Sequence, residues 1–312
     1  MKAYITRRLV SIVPTLLIVG SLVFFVMRAA AGDPAVAMLG ASATAESIAR
    51  LREQMGLNRP LVVQYAEFLL QALRGDFGRS LATGRPVAEQ IFAAFPDTVE
   101  LVFWGMLIGT LIGVPTGIVA AVRPNSVLDY LSRVVALLGL SMPPFYLGIL
   151  LLLIFALNLG WFPVISTPQP GFWGRLHAAF LPSLSLGLVQ ASFIMRMVRS
   201  SLLEVLQEDY IRTAHAKGVP PSRVHYRHAL RNALIPVITV FGLYLGTLLA
   251  GTVLTETVFN RPGMGRLLVG AIQQRDYPLI QGGLMIYAAV IVVVNTAVDI
   301  LYGFVDPTIR YD

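Results

Sequence analysis

The chain has 312 residues, 56% of them hydrophobic and only 13% charged, and it contains no cysteine. This composition lies outside the range of soluble globular domains and predicts a polytopic membrane protein, while the lack of cysteine excludes disulfides and thiolate-ligated zinc. The net charge of +7 is spread over loops with no basic block, which argues against nucleic-acid binding and fits positive loops on the cytoplasmic side of a bilayer.

Lys2, Arg7 and Arg8 precede an apolar run, Leu9–Met27, about long enough to cross a hydrocarbon core at ~1.5 Å per residue. Residues 1–31 are therefore expected to be a cytoplasmic tail and a first span. Ala29-Ala30-Ala31 has the form of a signal-peptidase site, but the run exceeds the ~7–15 residues of a signal-peptide core, so an uncleaved span is the expectation. Residues 32–98 are polar, nearly neutral and, by alternation, extracytoplasmic. Helices are expected there at Ala45–Gln54, ending before Gly56, at Leu61–Leu73, ending at Gly75, and at Pro86–Phe95.

Residues 99–304 are expected to hold the other spans. In Val99–Val122, the glycines Gly105, Gly109, Gly113 and Gly117 stand four apart on one helical face, a pattern that reads first as close helix packing and second as pore lining. Arg123 and Arg133 bracket a short cytoplasmic turn. Val134–Leu157 is interrupted at Pro143-Pro144, where missing N–H donors demand a kink or break; a substrate path and a packing kink are equal readings. The chain then returns outside, with Trp161, Phe162, Phe172 and Trp173 placed as an interfacial aromatic belt.

Spans at Leu181–Val198, Ile235–Phe259 and Leu284–Phe304 bring the total to six, leaving 305–312 as a cytoplasmic tail and both termini inside. Polar residues within these spans, Gln190, Arg196, Glu256, Asn295 and Asp299, draw the default suspicion of function. Asn295 and Asp299, four apart, read best as an interhelical hydrogen-bonding pair. Glu256, near the outer end of its span, either pairs with an arginine or lines the substrate entrance.

Between the fourth and fifth spans lies a polar, basic loop, 196–236. Arg196, Arg199, Arg212, Lys217, Arg223, Arg227 and Arg231 outnumber Glu204, Glu208 and Asp209, so the loop is expected on the cytoplasmic side. Leu202, Leu203, Val205 and Leu206, then Tyr210, Ile211 and Ala214, recur at helical spacing and predict a short amphipathic helix. Gly218 stands where such a helix needs a left-handed cap, and Pro220-Pro221 forbid its continuation. A second helical piece, Ser222 to Leu234, then leads into the next span. The expected shape is a helix–turn–helix knob projecting from the membrane.

Asp209 to Gly218 (DYIRTAHAKG), followed by His228 to Pro236 (HALRNALIP), resembles the cytoplasmic "EAA" loop of ABC importer permeases, closest to the dipeptide/oligopeptide branch. Aligned on Gly218, the motif's Glu falls on Arg212 and its first Ala on Thr213, a departure that the peptide branch shares. Further blocks are similar to that branch: Gly32-Asp33-Pro34, 56–60, Gln64-Tyr65, 75–80, 96–101, 261–268, 275–281 and the ending at 298–311. The resemblance covers essentially the whole chain.

The resemblance implies an all-α fold of six transmembrane helices in the inner (cytoplasmic) membrane, a helical extracytoplasmic insertion between helices 1 and 2, and a coupling helix between helices 4 and 5. It implies a second homologous permease subunit, two ATP-binding ABC subunits or one fused ATPase, and an extracytoplasmic substrate-binding protein. It also implies that Glu204, Glu208, Asp209, Tyr210, Arg212, Thr213, Ala214, Lys217 and Gly218 form the ATPase-coupling set. Pro143, Pro144 and Glu256 are the candidates for the substrate pathway.

The residues themselves argue against an enzyme. The only lysines are Lys2 and Lys217, and neither stands in a Gly-Lys-Ser/Thr loop, so ATP and Mg are expected in partner subunits and no cofactor in this chain. His177, His215, His225 and His228 lack an HExxH pattern and read as surface residues, not metal ligands. No nucleophile elbow is present. The alternative, an ATP-independent secondary transporter or channel, calls for ion-coupling charges at mid-membrane and no docking loop.

Overall fold

The computed structural model describes residues 2–31, 34–39, 43–54 and 56–305. Among these the structure is helical, without a β-strand beyond one isolated bridge between Arg79 and Pro86. Helices α1 (Lys2–Ala31), α2 (Pro34–Leu39), α3 (Ala45–Gln54) and α4 (Leu61–Leu73) are followed by α5 (Val87–Val122), α6 (Val127–Ser141) and α7 (Pro144–Leu151), which runs on as a π-helical segment, Leu152–Asn158. Next come α8 (Phe172–Leu206), α9 (Asp209–Ala216), the short α10 (Pro221–Arg223) with a π-helical segment Val224–Ala229, α11 (Leu230–Val258), α12 (Met264–Gln273) and α13 (Tyr277–Val305).

Four of these helices, α1, α5, α8 and α13, are long and apolar enough to cross a membrane among the described residues, and the bent pair α6 and α7 makes five if counted as one span. The remaining expected span, Ile235–Phe259, falls on α11, a helix of 29 residues. The chain divides into two compact units, one built of Thr98–Arg261 with the stretch from Ala297, the other of Lys2–Asp97 with Pro262–Thr296.

In the first unit α8 is the central helix, packed by α6, α7 and α11 and by the glycine face of α5. The glycine stripe of α5 makes this possible. A Cβ on Gly113 would lie 2.7 Å from the Ala191 carbonyl oxygen, and one on Gly117 2.8 Å from that of Met195. The stripe is therefore a packing surface, as its first reading held. The expected interruption at Pro143-Pro144 is a true break: Pro143 is extended (φ −61°, ψ 142°), Pro144 starts α7, and the two helices meet at 105°. Proline suits the first turn of a helix, whose N–H groups have no intrahelical partner.

The second unit has its own core, Val87, Ile91, Ala94, Met264, Ala271, Leu279 and Ile280. Its long connection is fixed by side chains that replace missing backbone partners. The Gln64 amide donates to the carbonyls of Leu57 (3.1 Å) and Arg59 (2.7 Å). Asp276, 1% exposed, accepts from Ser80 Oγ (2.5 Å) and from the N–H groups of Leu81 (3.1 Å), Ala82 (3.3 Å) and Leu279 (3.3 Å). One buried carboxylate thus caps α13 and pins the turn that precedes α5.

Three expectations need correction. The helix expected to end at Phe95 continues as α5 to Val122; Pro96 removes one backbone donor, while Ile91, Ala94, Leu101 and Val102 are buried on either side of it and hold the helix together. The helices begin before the expected spans, at Val127, Phe172 and Tyr277; in α6 the first-turn carboxylate that hid the start, Asp129, is satisfied by Arg199 and the Asn125 N–H. Residues 264–273, for which the sequence carries no stated expectation, form α12. The amphipathic pattern starting at Leu202 is not one helix: Leu202 to Leu206 belong to the last turns of α8, and the chain breaks at Gln207-Glu208 before α9.

Candidate functional site

The knob is built around α9. Glu208 is extended (φ −65°, ψ 146°) and stands at its N-cap position. At the other end Gly218 has φ +76°, its N–H donates to His215 O (2.9 Å), and the Val219 N–H donates to Ala214 O (3.2 Å). These two bonds are a Schellman closure, and only a residue free to adopt left-handed φ completes it without strain.

The inner face of α9 is anchored by Ile211, 1% exposed, which packs with Ala121 of α5, Leu202 of α8 and Val224, Ala229 and Ala233. Ala214 is half-buried beside this cluster. Tyr210 Oη accepts from Asn232 Nδ2 (2.9 Å), tying α9 to α11. The outer face is polar and open: Asp209 and Arg212 pair at 3.3 Å with side chains 95% and 72% exposed, and Thr213, His215, Lys217 and Gly218 are exposed with them.

Glu204 and Glu208 are also exposed, on the last turn of α8 and at the break that follows. The structure thus gathers the predicted coupling residues on one knob. Ile211, the anchor, is the key residue that a search for exposed polar groups passes over; its place opposite the polar face at helical spacing is the signal that finds it.

The base of the knob is fixed by a charge cluster. Asp129, with no exposed surface, accepts from Arg199 Nε (2.6 Å) and its terminal nitrogen (2.9 Å), and from the N–H of Asn125 (3.0 Å). Arg133 approaches to 3.4 Å. Ser126 caps α6 by accepting from the Asp129 N–H (3.2 Å), so the S-x-x-D spacing was the one local hint of this site. The bidentate pair joins the start of α6 to α8, about two turns before α8 ends. His225 stands on the π-helical segment behind the knob; burial pushes its imidazole below the usual range, and the charge of His215 adds to that.

The pathway candidates lie in the same unit. Pro143 and Pro144 form the break already described, and a Cβ on Gly251 of α11 would stand 3.9 Å from Pro144 Cγ. Glu256 is fully buried and accepts from Thr98 Oγ1 (2.7 Å). Close by in the chain, the buried Arg261 guanidinium reaches Glu100 (2.6 Å), which Arg175 also approaches (3.2 Å). Of the four residues expected as an aromatic belt, Trp161, Phe172 and Trp173 are exposed at 60%, 61% and 77%, while Phe162 is half-buried and stacked on Phe180 at 5.1 Å. No group of three metal-ligating side chains occurs among the described residues.

Comparison with known proteins agrees with this geometry. The chain is 42% identical to the dipeptide transport system permease protein DppB of Alkalihalophilus pseudofirmus and 44% identical to the glutathione transport system permease protein GsiC of Salmonella paratyphi A, each over the full length of both chains. Among solved structures, inward-facing MetNI methionine ABC transporter chains share the fold, with a TM-score of 0.56 at 20% identity over 70% of this chain and 96% of that one. The N-terminal residues 1–102 match the family described as binding-protein-dependent transport system membrane component, N-terminal. Residues 113–311 match its companion, and the chain belongs to the binding-protein-dependent transport system inner membrane components.

Proposed function

We propose that this chain is one transmembrane subunit of an ATP-driven importer for di- or oligopeptides, or for a related small solute such as glutathione, driven by separate ATPase subunits through the loop 204–218. The observation that carries this reading is the α9 knob: an eight-residue helix, buried by Ile211 on one face, polar on the other and closed by a left-handed glycine. A surface so anchored and so exposed suits docking to a partner, and the dipeptide and glutathione permeases among its relatives supply the substrate class.

In this reading ATP and Mg reside in the partner ATPases, a second permease subunit completes the pathway, and an extracytoplasmic binding protein delivers substrate. Six spans place both termini inside and 32–98 outside. ATPase closure pushes α9; Ile211 passes the displacement to α8, and Asp129 with Arg199 passes it to α6, so that the helices rock between inward-open and outward-open states.

Gly218→Val tests the coupling: the protein should reach the membrane at normal level yet lose ATP-dependent uptake and ATPase retention, while Gly218→Asn, which tolerates left-handed φ, keeps most of both. Normal uptake by the valine variant would overturn the coupling role. The side of 32–98 is tested at Ala82, which is exposed, and not at Ser80, which is buried against Asp276. In a chain without cysteine, an Ala82→Cys variant should be labelled by an impermeant thiol reagent in intact cells; labelling only after lysis refutes the topology.

A further inference from the structure

Most of α8 is interior: 78% of its apolar window is buried, against 17% for α1 and for α13. Its exposed residues on the stretch before the knob are therefore informative. Arg196, Ser200 and Glu204 are exposed, spaced four apart, and form one polar stripe along the cytoplasmic half of the helix. On one side of the stripe Phe193 stacks on Tyr244 of α11 at 3.6 Å. On the other, Arg199 turns toward α6 and is consumed by Asp129.

Arg196 is treated differently from Arg199. Among the described residues no carboxylate lies within ion-pair distance of it; its guanidinium stands over the Phe193 ring, 5.6 Å from the centroid, on the aromatic pair. It is ten residues, about 15 Å, short of the end of α8. A cation at that depth on an interior helix must face water or an anion, because lipid would exact several kcal/mol for it. An aromatic face beneath a guanidinium fixes its plane and leaves its N–H fork directed outward, the arrangement that recognises a carboxylate with two parallel hydrogen bonds.

We infer that the Arg196–Ser200 part of the stripe lines the inner part of the translocation pathway, Glu204 lying beyond it on the knob, and that Arg196 is a substrate-contact residue, binding the C-terminal carboxylate of the peptide as it passes. This rests on the peptide-import reading above. Ser200 continues the hydrated surface toward the cytoplasm. The pair Phe193 and Tyr244 positions the guanidinium and does not itself select.

Two measurements on the full transporter in native membranes test this, the first by uptake. Initial uptake of trialanine should fall about tenfold or more in Arg196→Gln, the loss expected for one charge-assisted contact, while uptake of trialanine amide changes less than about twofold. Arg196→Lys should be intermediate. Because the delivering binding protein is the same in every arm, the difference reports the permease. Equal loss of both peptides, or loss of neither, overturns the assignment.

The second measurement needs no peptide. In the cysteine-free background, a Ser200→Cys variant should react with sulfonatoethyl methanethiosulfonate faster than with the trimethylammonioethyl reagent, relative to free thiol. Adding Arg196→Gln should abolish that preference. Failure of both reagents to react, or a preference that survives the second substitution, refutes a water-lined anion site. If wild-type membranes import neither peptide, the peptide reading fails on its own, and the reagent preference still decides whether Arg196 attracts anions into the stripe. A preference that tracks the anionic-lipid content of the membrane would assign Arg196 to lipid phosphate and overturn the proposal.

Discussion

The glycine stripe of α5 provides a graded experiment. A Cβ added at Gly113 would lie 2.7 Å from the Ala191 carbonyl oxygen and 2.8 Å from Ile194 Cβ, and one added at Gly117 2.8 Å from both Met195 O and Val198 Cβ. Neither backbone carbonyl can turn aside, so α5 and α8 must part by several tenths of an ångström. At Gly105 the nearest atom is Leu186 Cβ at 3.2 Å and the nearest carbonyl is at 3.5 Å, which a small adjustment absorbs.

Overpacking of this kind costs about 1–3 kcal/mol, against about 0.5–1 kcal/mol gained when alanine replaces glycine in a helix. Gly113→Ala and Gly117→Ala should therefore destabilise by about 1–2 kcal/mol, and Gly105→Ala should be near neutral. Thermal unfolding of purified protein in one detergent should show midpoints lowered by about 2–4 °C per kcal/mol for the first two and little change for the third. A Gly105→Ala variant as unstable as Gly113→Ala, or a Gly113→Ala variant more stable than the parent, would refute the close approach of the two helices.

Asp129→Asn should destabilise by about 3 kcal/mol, because it leaves Arg199 without its carboxylate while Asp129 itself has no exposed surface; a double variant Asp129→Asn, Arg199→Gln that is no better than the single would show that the pair is not coupled. Asp276→Ala removes the acceptor for Ser80 Oγ and the Leu81 and Ala82 N–H groups, so tryptic cleavage after Arg79 should accelerate; an unchanged rate would deny the clamp. His225 has a folded-state pKa below its ordinary 6.5, so its contribution to stability is present above that pH and is lost as pH falls through the lower folded value. The melting-point advantage of the parent over His225→Gln should therefore shrink between pH 7.5 and about 5.5, and a constant gap would exclude this titration.

Much of the fold is written locally. The bounds of α3 and α4, the break at Pro143-Pro144 and the left-handed turn at Gly218 follow from glycine and proline stereochemistry, which acts within a few residues. The stripe of α5 is legible for the same reason, since a four-residue period belongs to one helix. What escaped depends on partners far away in the chain.

Pro96 reads as a stop until burial on both sides of it is known to outweigh one lost hydrogen bond. The end of α8 at Leu206 and the separate start of α9 cannot be told from one amphipathic helix by periodicity, because both halves bury the same kind of face. Asp129 and Arg199 are 70 residues apart and Ser80 and Asp276 are 196 apart, so neither charge reveals its partner by spacing. Of the α9 knob, the exposed residues and the apolar face that holds Ile211 were legible from helical spacing; the residues Ile211 packs against were not, since an isoleucine in an amphipathic segment names no particular contact.

The length of α8 has a mechanical consequence. Its 35 residues make a rod of about 52 Å, well beyond the ~30 Å of a hydrocarbon core, so the helix stands proud of the lipid. A rod of that length turns small rotations into large excursions: a tilt of about 10° carries one tip about 9 Å relative to the other. The ladder is interrupted once, at Pro182, so a lean of the helix divides between tilting as a whole and bending at that point. How far the attached turns let the helix lean then sets how far its two ends are displaced from each other.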